Sequence, residues 1–169
     1  MKETVSNLLN EQVNKEFYSA YLYLSFANYF VQEGLNGFAN WYQVQAQEER
    51  DHAMLMTQYL QKNDSKVVYE SIAKPDSSWA DGLAVLKAGL AHEKYVTESI
   101  NTIYNAASES KDYRTLQFLD WFVKEQGEEE TNAIDLIKKM ELFGGDSKGL
   151  YLLDQELAAR VYAPPTLVL

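Results

Sequence analysis

Acidic residues interrupt the apolar stripes of this chain at matched places. Glu16 falls between Val13 and Ala20 of one stripe, and Glu49 and His52 fall between Gln45 and Met56 of the next. Glu93, Gln126 and Glu129 repeat the set 77 residues later (93 − 16, 126 − 49, 129 − 52). In each half, 33 residues separate the lone acid from the pair (49 − 16 and 126 − 93). A carboxylate withdrawn from water costs several kcal/mol unless something cationic compensates it. A chain that places acids inside its apolar lines is therefore constrained to fold so that they meet around a shared positive charge.

The stripes themselves have the helical period. Leu9, Val13, Ala20, Leu24, Ala27 and Val31 form the first. Phe38, Trp41, Gln45, His52, Met56 and Tyr59 form the second. The third uses Leu83, Leu86, Leu90, Thr97, Ile100, Tyr104 and Ala107, and the fourth Leu119, Phe122, Ala133, Ile137 and Met140. Each helix would run roughly 25 to 30 residues, or about 40 Å. Gly34 and Gly37 mark the first break, with Asn36 as the expected N-cap. The connector from Asn63 to Trp79 contains Pro75 and is too long for a tight hairpin. It predicts a traverse of the bundle, making helices two and three parallel, with Ser77 or Ser78 capping the third. Gly144-Gly145 ends the fourth helix, and a short fifth is expected over Leu150 to about Arg160, before Pro164-Pro165. The expectation is an all-α protein: one domain over 1–169, with a four-helix bundle over about 3–143, a fifth helix over about 148–160 and a tail over 161–169.

Composition narrows the function. A net charge of −10, from 25 acids against 15 scattered Lys and Arg, argues against a nucleic-acid binder. The absence of cysteine removes disulfides, thiolate metal sites and thiol nucleophiles, and fits a reducing compartment. No run of about 18 apolar residues is present, and the N-terminus lacks the apolar core of a signal peptide, so a cytoplasmic protein without a membrane span is expected.

Singly, a Glu on an amphipathic helix is a solvated residue. Two matched sets on four stripes instead predict a metal site. Carboxylates with one imidazole suit hard or borderline ions such as Fe, Mn or Mg. Glu49 can bridge through both oxygens and hold two ions a few ångströms apart. Glu48, Glu125 and Glu128 lie one helical step round from these positions and form a candidate weaker third position or exit path, whereas Glu130 reads as solvated. Tyr23, two turns beyond Glu16, and Trp121 stand near the same level, as packing residues or as a hydrogen-bond or electron donor to the site. Met54 and Met56 read as core fillers.

At these residues the chain resembles the non-haem bacterial ferritins. NEQVNKEFYSAYLYLS, QAQEERDHA, FLDWFVKEQGEEE and GLYLLDQEL match the helices of that family in order, from Asn10 to Arg160. The resemblance implies that Glu16, Glu49 and His52 bind one iron and that Glu49, Glu93 and Glu129 bind a second, with Gln126 close by. It implies that Glu48, Glu125, Glu128 and Glu129 form the third position. It further implies ferroxidase activity on Fe(II) with O2 or H2O2, and storage of a ferric oxyhydroxide mineral inside a hollow 24-subunit homo-oligomer whose fifth helix lines the four-fold axes. Arg50 and Asp51 between Glu49 and His52, and Asn132 after Glu129, depart from the haem-binding relatives, so no haem is expected. Leu119 and Leu116 replace the acids of the animal three-fold iron channel. The alternative within the same bundle class is a di-metal carboxylate oxidase or oxygenase acting on an organic substrate, which would need an apolar pocket.

Overall fold

A computed structural model describes all 169 residues. Five helices follow one another: α1 Glu3–Gln32, α2 Asn36–Lys62, α3 Gly82–Glu109, α4 Tyr113–Phe143 and α5 Ser147–Ala158. The duplicate is structural as well as sequential. α4 starts 77 residues after α2 (113 − 36), and α3 ends 77 after α1 (109 − 32). The hairpin turns also correspond. After α1, Leu35 N–H returns to Phe30 C=O at 2.9 Å with Gly34 at φ 77°; after α3, Asp112 N–H returns to Ala107 C=O at 2.9 Å with Lys111 at φ 57°. Both are helix stops built on one left-handed residue, which glycine adopts freely and lysine does not.

The connector, residues 63–81, runs back along α1. Asn10 takes the N–H of Val68 at 2.7 Å and donates to the Lys66 carbonyl at 3.0 Å; Asn14 does the same for Glu70 N–H and the Val68 carbonyl; Ser25 donates to the Asp76 carbonyl at 2.7 Å. It thus travels the length of the bundle. α3 then starts beside Phe30, and Lys15 meets Ser99 further down, so α1 and α3 are antiparallel and α2 and α3 parallel, as expected.

Three local expectations change. Asp81, not Ser77 or Ser78, caps α3, its carboxylate accepting from Ala84 N–H at 2.7 Å. Asn36 does not cap α2, whose own N-terminus has no side-chain cap. Asp154 of α5 supplies it instead, accepting from Gly37 N–H at 2.7 Å and Phe38 N–H at 3.1 Å. An acid there also meets the positive end of the helix dipole. Finally, Leu24 and Val31 are each 49% exposed; the buried line of α1 turns instead through Tyr23, Phe26 and Phe30. A 3.6-residue period drifts from any fixed alternation of threes and fours over eight turns.

The apolar core is split. One cluster holds Tyr23, Phe26, Phe30, Phe38, Tyr42, Leu86 and Leu136; the other holds Leu9, Val13, Met56, Leu60, Ile100, Phe118 and Phe122. In every long helix the acids of the repeat fall in the interval between the two. α2 and α4 have no Cα pair within 8 Å, and side chains bridge the gap, among them the stacked rings of Tyr59 and Phe118 at 3.9 Å.

Candidate metal centre

The interval between the two apolar clusters is a polar layer that all four long helices supply. Glu16, Glu49, His52, Glu93, Gln126 and Glu129 are all buried there, between 1% and 7% exposed. One ligand atom each from Glu16, Glu49 and His52 lies within 4.8 Å of the others. His52 Nδ1 stands 3.4 Å from Glu49 Oε2. Its ring packs edge-on against Trp121 and Phe122, with centroids 5.5 and 5.8 Å away, so packing fixes its orientation. On the opposite side, the Tyr23 hydroxyl donates to Glu93 Oε1, and Gln126 Nε2 donates to Glu93 Oε2 at 3.1 Å.

Electrostatics set this layer apart from an ordinary buried network. Burial pushes the Glu16 and Glu49 carboxyls well above the usual range; the charge of Glu49 adds to this at Glu16, and those of Glu93 and Glu129 at Glu49. Burial likewise raises Glu93, and raises Glu129 to about 8. Tyr23 is raised first by burial and then by Glu93. Glu16 Oε2 and Glu49 Oε1 are buried and accept no hydrogen bond. Native proteins rarely leave such oxygens unpartnered. Orphaned carboxylate oxygens facing one imidazole are a donor set for a hard or borderline cation.

Two residues beside the layer carry no role in the sequence reading. Gln12 Nε2 donates to Glu16 Oε1 at 2.8 Å, and Gln45 Nε2 donates to Glu129 Oε2 at 2.7 Å. For Gln12 the available signal is spacing, one helical turn before Glu16 (16 − 12); Gln45 lies one turn before Glu49 but reaches across to α4, which no local spacing announces. Each amide holds one carboxylate oxygen and leaves the other free.

The outer acids fare differently. Glu48 pairs with Arg160 at 2.6 Å, Glu128 is exposed and pairs with Lys124 at 3.2 Å, and Glu125 is half-buried, its carboxyl raised by burial. Glu130 is half-buried and accepts from Thr97 at 2.6 Å rather than standing free in water. Met56 is fully buried, Met54 only partly. A cavity of about 20 Å³, roughly one water, lies against Tyr23, Gln45, Glu93 and Glu129.

A buried layer of acids shared by four helices, in two hairpins joined by a long traverse, is a family architecture, and a family model for the ferritin-like domain matches residues 6–143. The chain belongs to the ferritin family. A bacterial non-haem ferritin of Campylobacter jejuni is 39% identical over 92% of this chain and 93% of its own length. A probable bacterial non-haem ferritin-like protein of Haemophilus influenzae is 37% identical over 93% and 95%. Among solved structures, a humanised archaeal ferritin superposes with a TM-score of 0.95 at 43% identity, covering 97% of this chain and 99% of that one. An open-pore ferritin of Archaeoglobus fulgidus does so with a TM-score of 0.93 at 42% identity, over 95% and 99%. No helix of this ferritin is long and apolar enough to cross a membrane.

Proposed function

We propose that this ferritin stores iron, oxidising Fe(II) at the buried layer before depositing it as ferric mineral. The observation that carries the reading is the set of four buried carboxylates and one imidazole with orphaned oxygens. Glu16, Glu49 and His52 take one ferrous ion. Glu49 reaches the second position with Glu93 and Glu129, and Gln126 and Tyr23 hold Glu93 in place. As Fe(II) arrives it displaces the protons that burial keeps on these acids, so loading releases protons. A pair of ferrous ions then supplies both electrons for reduction of O2 to H2O2, with two protons consumed: 2 Fe(II) + O2 + 2 H⁺ → 2 Fe(III) + H2O2. A cavity the size of one water at Glu93 and Glu129 admits a small oxidant and is too small for an organic substrate.

The storage reading requires many copies. Tyr21 and Leu24 on α1 and Ile72 on the connector line one shallow depression, each about half exposed. Such a patch is suited to cover by another subunit, and we infer a homo-oligomeric shell of 24. Aerobic Fe(II) titration of the metal-free protein tests the chemistry. The variant carrying both Glu49→Ala and His52→Ala is expected to lose at least about 100-fold in initial oxidation rate, equal to about 2.7 kcal/mol of barrier. An unchanged rate would refute the assignment. Gel filtration tests the assembly, and a dimer would sink the storage reading.

A further inference from the structure

Gln12 is fully buried on α1, one turn before Glu16, and its side chain makes a single hydrogen bond. Its amide Nε2 donates to Glu16 Oε1 at 2.8 Å. Its own carbonyl Oε1 is also buried and accepts no hydrogen bond. A buried amide with an orphaned carbonyl is poor structural material, since an apolar side chain of the same size fills the space without that defect. What the amide does achieve is to treat the two oxygens of Glu16 unequally. Oε1 is engaged, whereas Oε2 is buried with no hydrogen bond.

This inequality governs how Glu16 can ligate. A carboxylate binds an ion through one oxygen or chelates it through both. Large hard ions such as Ca(II) gather about six to eight oxygens and draw on chelating carboxylates. First-row divalent ions accept fewer donors, imidazole among them. For Glu16 to chelate, Oε1 must leave Gln12. The Gln12 NH2 would then be buried without an acceptor, beside a carbonyl that already has no donor, and such burial is unfavourable. Turning the amide over gives no escape: once a bound cation has ionised Glu16, only the NH2 end can meet it. With Gln12 in place, the first position is limited to one oxygen of Glu16 alongside Glu49 and His52, whose ligand atoms lie within 4.8 Å of one another.

We propose that Gln12 determines the specificity of the first metal position: by engaging Glu16 Oε1 it restricts this ligand to one oxygen and so favours a first-row divalent ion over calcium. Gln12 is a positioning residue that acts through Glu16. This role rests on the site proposed above, but its consequence is a ratio of affinities rather than a rate of oxidation.

Calorimetric titration of the chelator-treated, full-length protein with Zn(II) and with Ca(II) tests it, together with the visible spectrum of the Co(II)-loaded protein. Gln12→Met keeps the size of the side chain and removes the donor. Relative to the unaltered protein, its affinity for Ca(II) divided by that for Zn(II) is expected to rise by at least about tenfold. The Co(II) bands should weaken as Glu16 adds its second oxygen. Gln12→Leu is expected to behave alike and serves if Gln12→Met fails to fold. A purely structural role would weaken both ions together and leave the ratio where it was. Adding Glu16→Gln to Gln12→Met should cancel the gain. An unchanged ratio in both Gln12 variants would overturn the proposal, as would a gain that survives Glu16→Gln. His52→Ala separates this role from the site itself. Co(II) bands indifferent to His52→Ala would sink the site assignment and the role of Gln12 with it, whereas His52-dependent bands with an unchanged ratio would sink the role of Gln12 alone.

Discussion

Stripped of metal, the protein is expected to lose stability as pH rises from about 5 to about 8, the opposite of ordinary acid unfolding. Glu16, Glu49, Glu93 and Glu129 all hold their protons more tightly in the folded state, chiefly through burial. Below the unfolded-chain value of 4.5 both states are protonated and this contribution is fully present. Above it the unfolded chain ionises first, and each further pH step favours unfolding until the folded carboxyl titrates as well. For Glu129, raised from 4.5 to about 8, the interval is about 3.5 pH units. At about 1.36 kcal/mol per unit its ceiling is about 5 kcal/mol. In a chain of this length that corresponds to a fall in Tm of up to about 10–20 °C. The assay is thermal unfolding of the chelator-treated protein from pH 5.5 to 8.5, in enough salt to screen the surface charge. Zn(II), a redox-inert substitute for Fe(II), should reverse the trend, because it binds the ionised ligands. Glu129→Gln should flatten the metal-free profile and raise Tm at pH 8. A metal-free Tm that is level or rises across this range would refute the reasoning, as would a slope unaltered by Glu129→Gln.

Other perturbations test the scaffold and the layer separately. A Cβ at Gly37 would lie 1.7 Å from the Asp154 carbonyl oxygen, so Gly37→Ala should displace α5 and cost about 2–4 kcal/mol through the lost Asp154 cap; denaturant unfolding and faster proteolysis near Ser147 would show it. Lys111→Gly relieves a left-handed lysine and should stabilise by about 1 kcal/mol, seen as a higher denaturant midpoint at constant slope. Tyr23→Phe removes a donor from Glu93; the Zn(II) dissociation constant should weaken by about tenfold, for about 1–3 kcal/mol of lost hydrogen bonding, with the helical circular dichroism unchanged.

The four-helix plan and the six residues brought together in the buried layer were visible in the sequence because they rest on periodicity and on one numerical offset. Glu16 and Glu93 could be placed at one level because each lies on its own helix's apolar line, whatever the details of packing. Features that depend on chain segments far apart were not visible. Asp154 caps a helix whose first turn lies 117 positions earlier (154 − 37), and no local pattern in α2 announces it. Arg160 reads as the end of the fifth helix, yet α5 stops at Ala158 and the arginine turns back to Glu48. Leu24 and Val31 failed for a geometric reason, since a stripe counted in threes and fours rotates out of the core over a helix as long as α1.

The polar layer also divides the bundle mechanically. Two oily blocks, one around Phe30 and Tyr42 and the other around Leu60 and Phe118, are separated by a course of buried acids, two of them with an oxygen that accepts no hydrogen bond. Without a cation this course acts as a seam. Helix breathing should concentrate there rather than at the fully packed ends, and amide exchange near Glu49 and Glu129 should outpace that near Phe30 or Leu60. A metal ion bound there should act as mortar across the seam, joining the two blocks into a single cooperative unit and slowing exchange at Glu49 and Glu129 to the rate of the ends.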